Sequence, residues 1–514
     1  MKLHKSFKIL VIIVAFVLLF SACLPSDVDI LNPPEGPGGT PGIVGGEHVA
    51  LAYNHTDSLN PFTARTRHNQ RLSRLLFDSL VTLDENFEPH MAMAESIEQN
   101  GRIFTVRLRN LNFTNGRQIV AQDVIFSLNL AKNQTNGPFF NQTQNIREMY
   151  VLSPTQFTIT LYETDRHFIN NLDIPIISRL DVDRQTEDGQ ALPPIGSGRY
   201  IYEKVDGASK LTVNENFRGE TPRIEQILLV STPDDEALEH NLAMGVISIY
   251  YSDLFNTSPP RMPGNVTSNT LNALVFLGFN HNTVNDANVR SAINLLIDRT
   301  SIMQNNFQTH AAVAATPFNP AFHRYLGTEI LNDRANPQLA GEKLRQAGFN
   351  SEDEQGFLLR NNQRLSLRLI VNEENTGRVA LAENVALKLR NGGLAVTVIA
   401  LPFAQYTQRL NTREFDLFLA EVNIPLNFDM REILLPTGAA SAGLAADCEV
   451  AEAYLEYRED EITTEQFLQI FERELPILPL IYRNGILLFS NRFQGVAQAS
   501  PSDIYYNLES LGFE

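Results

Sequence analysis

Tryptophan is missing from all 514 residues, so no site in this chain can be built on an indole. Cysteine is nearly missing: there are two, Cys23 and Cys448. Were Cys23 modified, no intrachain disulfide could form, and Cys448 reads as a small buried hydrophobe rather than a nucleophile. Basic residues are outnumbered, 41 Lys and Arg against 59 Asp and Glu, for a formal charge of −18. That balance excludes nucleic acid and anionic lipid surfaces as partners of the body, because both need Lys and Arg to displace counterions. It suits a body kept dispersed by self-repulsion. Known catalytic patterns are also lacking. There is no phosphate-binding G-x-x-x-x-G-K-[ST] and no H-E-x-x-H. The Gly- and Ala-rich stretch 438–443 has the wrong spacing for a nucleophile elbow. The ten histidines are scattered without ligand-like spacing, so no metal or cofactor is expected.

What is present begins at the N-terminus. Lys2, Lys5 and Lys8 precede an unbroken apolar run, Ile9 to Phe20, followed by Ser21, Ala22 and Cys23. Basic, apolar, small is the layout of a secretory signal. The run is about a dozen residues, short of the roughly 20 a membrane-spanning helix needs. The expectation is a signal peptide over 1–22. Residues 24–46 are rich in Pro and Gly and read as a flexible tether.

The body from about 47 onward is mixed. Phe104, Val106 and Leu108 alternate with polar residues, as in a half-buried strand, and Asn115-Gly116 reads as a hairpin turn. Ala121, Val124, Ile125 and Leu128 fall on one helix face. Leu274 to Asn280 is an apolar strand, followed by a helical stripe at Val289, Ala292, Ile293 and Leu296. After Arg364 the order is strand, helix, strand, helix, strand (365–371, 378–390, 394–400, 406–410 and 416–422), which implies a parallel sheet with crossovers. Ligands on such sheets sit beyond the carboxyl ends of the strands, which puts Glu421 to Asn427 on a binding rim.

Several segments together resemble a known family. Leu19 to Cys23 resembles the lipobox of bacterial lipoproteins, in which the cysteine thiol carries a diacylglycerol and becomes the new N-terminus. Asp57-Ser58-Leu59-Asn60-Pro61, Leu76 to Val81, the block Phe104–Arg109 with Phe113–Gly116 and Ala121–Ser127, Gly196 to Tyr200, Phe279-Asn280 with Val289-Arg290, and Leu475 to Tyr482 are similar to motifs of the extracytoplasmic solute-binding proteins of family 5. These are the oligopeptide-, dipeptide- and nickel-type components of ABC importers.

The resemblance implies an α/β, two-lobed fold of the type II periplasmic-binding-protein kind, with an extra α+β subdomain near 72–190 in the first lobe. Lobe I would take 47–275 plus 479–514, and lobe II 276–478, closing on a hinge around a small solute. It also implies a non-enzymatic protein outside the cytoplasm, anchored by lipid on Cys23 to the membrane's outer face. Its partners would be a peptide or peptide-like solute and the permease subunits. A non-peptide solute (oligosaccharide or metal chelate) or a surface-sensor role fits the same scaffold.

One departure bears on the solute. Many peptide-binding members carry a Trp-x-x-Asp-Tyr-x-x-Pro-like stretch after the strand that here is 416–420, and its Asp pairs with the peptide's amino group. The matching positions here are Val422 and about Pro425. Glu421 or Asp429 can supply a substitute charge, and the resemblance implies ligand contacts after the first turn, at Arg65, Arg67 and Asn69. The candidate ligand contacts are Arg65, Arg67, Asn69, Asn280, Glu421, Asn423, Asn427 and Asp429. For several of these a plainer role is open. Asp429 can cap the next helix, Glu421 can be a hinge or surface salt-bridge partner, and Arg65, Arg67 and Asn69 can be solvated.

Overall fold

The computed structural model describes residues 48–514 apart from 188, 206, 254–260 and 323–334. The expected signal, Cys23 and the tether lie outside the described residues. Gly45–Glu514 forms one compact unit.

The first region opens with β1 (Val49–Tyr53) and α1 (Arg67–Leu76), whose Leu72, Leu75 and Leu76 face inward. Next come β2 (Ala94–Asn100), β3 (Ile103–Leu108), α2 (Ala121–Asn133), β4 (Ile146–Ser153) and β5 (Gln156–Leu161). These four strands make an antiparallel sheet in the order β2-β3-β5-β4. The hairpin turn before α2 is as expected: Gly116 has φ +82°, a conformation open to glycine, and donates its N–H to the Phe113 carbonyl at 2.9 Å. The buried Asp123 ties that turn to the helix. It accepts from the Val120 N–H at 3.2 Å and from Arg117 at 2.8 and 3.0 Å, while the Arg117 guanidinium lies 4.8 Å from the Phe113 ring.

A second sheet combines β1 with β6 (Tyr200–Val205), β7 (Ala208–Val213) and β8 (Gln226–Ser231), in the order β1-β8-β7-β6. The largest sheet has seven strands. Its elements in chain order are β9 (Ile249–Ser252), β10 (Asn265–Phe279), α3 (Ala287–Leu296), β11 (Ser366–Asn372), α4 (Thr376–Asn391), β12 (Ala395–Leu401), α5 (Phe403–Thr412), β13 (Leu417–Asn423), α6 (Glu449–Arg458), α7 (Thr464–Glu474) and β14 (Ile477–Phe489). The order is β9-β14-β10-β13-β11-β12, with Ala311–Val313 paired to β14. β11 runs parallel to both β12 and β13, as the strand–helix alternation implies. β10 and β14 are antiparallel additions. β10 is longer than its apolar half suggested, because Asn265–Thr270 is polar and largely solvent-facing yet pairs with β14 throughout.

Apolar side chains gather into two large cores. One takes residues of 49–251 and 487–511; the other takes residues of 274–482 together with Phe87. This is the two-lobed architecture, and β10 and β14 are the strands that pass from one core to the other.

Candidate functional site

The crossing point is marked by a break in register. β10 and β14 pair from Asn265↔Phe489 to Thr270↔Asn484, and pairing resumes at Leu274↔Tyr482. Leu271 to Ala273 thus faces a single residue, Arg483. Such an irregularity bends a strand and loosens its ladder. The cores divide at the same place: Leu271 packs on the first, and Leu274 and Tyr482 belong to the second. Side-chain bonds replace the missing ladder. The Asn272 amide donates to the Ile424 and Pro425 carbonyls at 3.0 and 3.1 Å, fixing the segment after β13 to the crossover.

Charged groups converge on this crossing point. Arg483, buried and the one charged residue of a mostly apolar strand, donates to both Glu421 oxygens at 2.9 and 2.8 Å and to the Asp253 carbonyl at 2.7 Å. Arg378 of α4 approaches Glu421 at 3.4 Å. From the first lobe, Arg67 pairs with the Asp253 carboxylate, and Arg71 donates to the Tyr251 carbonyl at 2.8 Å. Burial, reinforced by Arg71, holds His68 below the usual imidazole range. Arg483 thus ties Glu421 of the second lobe to Asp253 of the first at the crossing point.

A second set of contacts joins the lobes through residues 163–170, which follow β5 in the first lobe. Asp165 is fully buried. It accepts from Asn427 Nδ2 at 2.5 Å and the His167 N–H at 3.0 Å, and Arg458 lies 3.3 Å away. The Asn170 amide donates to the Phe87 carbonyl at 2.9 Å and the Leu426 carbonyl at 3.1 Å. Glu163 pairs with Arg431 at 2.6 Å, and Arg166 with Asp460 at 2.8 Å. Around them Phe87 and His167 meet Phe428 with ring centroids 5.4 and 6.0 Å apart, and Phe322 stacks on Phe428 at 4.3 Å. Burial pushes the Asp165 carboxyl up against the pull of Arg458. Burial also acts on Asp429, but Arg431 and Arg458 outweigh it and hold that carboxyl low. Among the described residues, Asn427 Oδ1 and Arg458 Nη1 are buried without a hydrogen-bond partner.

The candidate residues distribute as follows. Arg67 and Glu421 belong to the charge cluster at the crossing point. Asn427 and Asp429 stand at the lobe–lobe contact, and Asp429 also accepts from the Arg431 N–H at 3.0 Å, at the start of a short helix. Asn423 is exposed at the end of β13, opposite Ala273. Arg65 is exposed, and its backbone N–H is held by Asp57 at 2.9 Å. Asn69 and Asn280 lie apart from both sets. The buried Asn69 amide binds Asn54, Asp57 and Ser58, fixing the first turn. Asn280 donates to the Arg413 and Phe415 carbonyls at 3.0 and 2.8 Å. Sequence reasoning missed Asp165, Asp253, Arg458 and Arg483. Only Arg483 carried a signal, as a lone charge inside the apolar run 477–489.

Among the described residues, no group of three or more His, Cys, Asp or Glu is arranged to hold a metal ion, and no helix is long and apolar enough to cross a membrane.

Two lobes joined by paired crossover strands and meeting again through a second contact define a binding protein of the type II class. The model of bacterial extracellular solute-binding proteins, family 5 (middle), matches residues 86–441, and the chain belongs to that family. It is thus an extracytoplasmic substrate-binding component of ABC transporters, not an enzyme. The chain is 22% identical over 392 residues to the oligopeptide-binding protein AppA of Bacillus subtilis (strain 168), covering 72% of each. It is 22% identical over 384 residues to heme-binding protein A of Haemophilus influenzae, covering 66% of this chain and 68% of that one. A crystal structure of a nickel ABC transporter protein from Bacillus halodurans superposes with a TM-score of 0.74 at 19% identity, covering 90% of this chain and 99% of that one.

Proposed function

We propose that this protein captures a peptide or peptide-like solute between its lobes by hinged closure, delivers it to a membrane permease, and is moored to the outer face of the membrane by lipid on Cys23. The observation that carries the capture reading is the coincidence of three breaks at one place. The first β10–β14 register shift, the hydrophobic core and the polar bridging through Arg483 and Asn272 all change within 271–274 and 482–487, and a second register shift follows at once between Val275 and Phe276. A hinge needs few residues to absorb the change, with intact bodies on either side. The change of core falls near the lobe boundaries inferred above, 47–275 with 479–514 against 276–478. The similarity to AppA, named for oligopeptides, favours a peptide. The names of the heme- and nickel-type relatives keep a chelate as the second reading.

Mass spectrometry of small molecules carried through gentle purification tests the solute. A bound peptide supports the proposal, and a bound heme or metal chelate moves it to the second reading. For the anchor, Cys23→Ser releases the protein from membranes; continued membrane retention would refute the lipid mooring.

A further inference from the structure

The first lobe contains a cavity of about 450 Å³ whose lining is drawn from α1 and the segment after it as far as Leu83, His90, the stretch around Asp173, residues 198–220 and the C-terminal segment 502–510. None of the hinge or lobe–lobe contact residues described above takes part in it. Its volume is in the range of small-molecule sites.

The chemistry of the lining is lopsided. Its three arginines are already held. Arg74 pairs with Asp173, Arg218 with Asp78, and Arg199 with both Asp503 and Glu509, at 2.5 and 2.9 Å. An anion entering the cavity would have to displace carboxylates from these guanidinium groups, two of which are joined to nearly buried acids. A cation meets the opposite situation. Asp503 and Glu509 share one arginine, and Glu220 stands exposed at the rim. The lining therefore holds five carboxylates against three guanidinium groups and one imidazole, His90, which is itself held by Asp84 at 3.1 Å outside the lining. Phe217 and Tyr506 add aromatic walls of the kind that receive cations on their faces, as Arg218 already does on Phe217 at 5.6 Å. The field at Tyr506 is negative: besides burial, Glu85, Asp84, Glu509 and Asp503 all raise its hydroxyl pKa.

We propose that this cavity is a second binding site, separate from the space between the lobes, for a small organic cation carrying an ammonium or guanidinium group on a body of amino-acid size. The inference does not depend on which solute the lobes enclose.

Titration calorimetry of the whole protein with agmatine tests it, with 1,4-butanediol as a neutral control and glutarate as an anionic one, beside inter-lobe distances measured by spin labels. The expected result is saturable agmatine binding, at least fivefold weaker in Glu220→Gln and in Tyr506→Ala, absent for both controls, and without change in the inter-lobe distance. Glu220 is exposed, so its substitution leaves the fold intact and keeps the test decisive if Tyr506→Ala misfolds. No saturable heat up to 10 mM agmatine (about the weakest affinity of interest for a site of this kind), equal binding of the controls, undiminished binding in Glu220→Gln, or closure of the lobes by agmatine would each overturn the proposal.

Discussion

Replacing Asp165 by alanine removes the buried carboxylate that the first lobe presents to the second. Arg458 on α6, itself 5% exposed, then keeps only Asp429, at 3.9 Å, as a charged partner among the described residues. Removing one member of a buried pair costs about 3–5 kcal/mol, because the remaining charge is stranded. Here the cost has an outlet. Asp165 and Arg458 belong to different lobes, so separation of the lobes lets water reach Arg458 without disturbing either core. The penalty therefore falls on the closed arrangement. At about 1.4 kcal/mol per tenfold, the closed-to-open ratio drops by roughly two to three and a half orders of magnitude. Burial already pushes the Asp165 carboxyl upward despite Arg458, so the lower end of that range is expected. Small-angle scattering reads the result as a larger radius of gyration, while urea unfolding of the lobes stays near that of the parent. The double substitution Asp165→Leu with Arg458→Met removes both charges and restores closure, since an apolar pair strands nothing. An Asp165→Ala protein that loses global stability but stays closed, or a double variant as open as the single one, would refute the reasoning.

His281, beside the turn that Asn280 fixes, makes stability depend on pH. Burial, with Arg290 nearby, lowers its pKa from 6.5 to about 4. A histidine depressed in the folded state binds protons more readily when unfolded. Its contribution is thus full above 6.5 and is lost as pH falls towards 4, in all about 3 kcal/mol at 1.36 kcal/mol per unit. His281→Gln lacks this component, so its stability difference from the parent, followed by urea unfolding, changes between pH 7 and 4; a constant difference would contradict the burial of a neutral ring. Gly443 has φ +92°, and a Cβ there would lie 2.5 Å from the Phe279 carbonyl oxygen. Gly443→Ala should therefore cost about 2–4 kcal/mol from backbone strain and overpacking together, read as a lowered urea midpoint. A loss under about 0.5 kcal/mol, the size of an ordinary surface substitution, would show that the turn yields.

Much of the scaffold is written locally. The strand at 103–108, the glycine turn at 116, the helix opened at 121 and the strand–helix alternation after Arg364 all rest on short-range periodicity and turn chemistry, and the structure has them where the spacing puts them. The polar half of β10 was not legible. Its six residues carry no apolar alternation and are strand only because β14 pairs with them. The same reason hides most of the site. Asp165 and Asn427 are 262 positions apart and meet at 2.5 Å, and nothing near either residue signals the other. The candidates after β13 were reached from strand topology. The first-turn candidates were reached from resemblance, which cannot tell a residue that holds the turn, as Asn69 does, from one that faces a solute.

The central claim is capture of a solute between hinged lobes. Spin labels at Leu152→Cys in the first lobe and Leu387→Cys in the second, both exposed positions, with Cys448 replaced by serine, give the inter-lobe distance by pulsed electron resonance. The account predicts a distribution with an open component in the ligand-free protein that collapses to the short distance when the co-purifying solute is returned. A distance that is single and unchanged by a solute that demonstrably binds would contradict it.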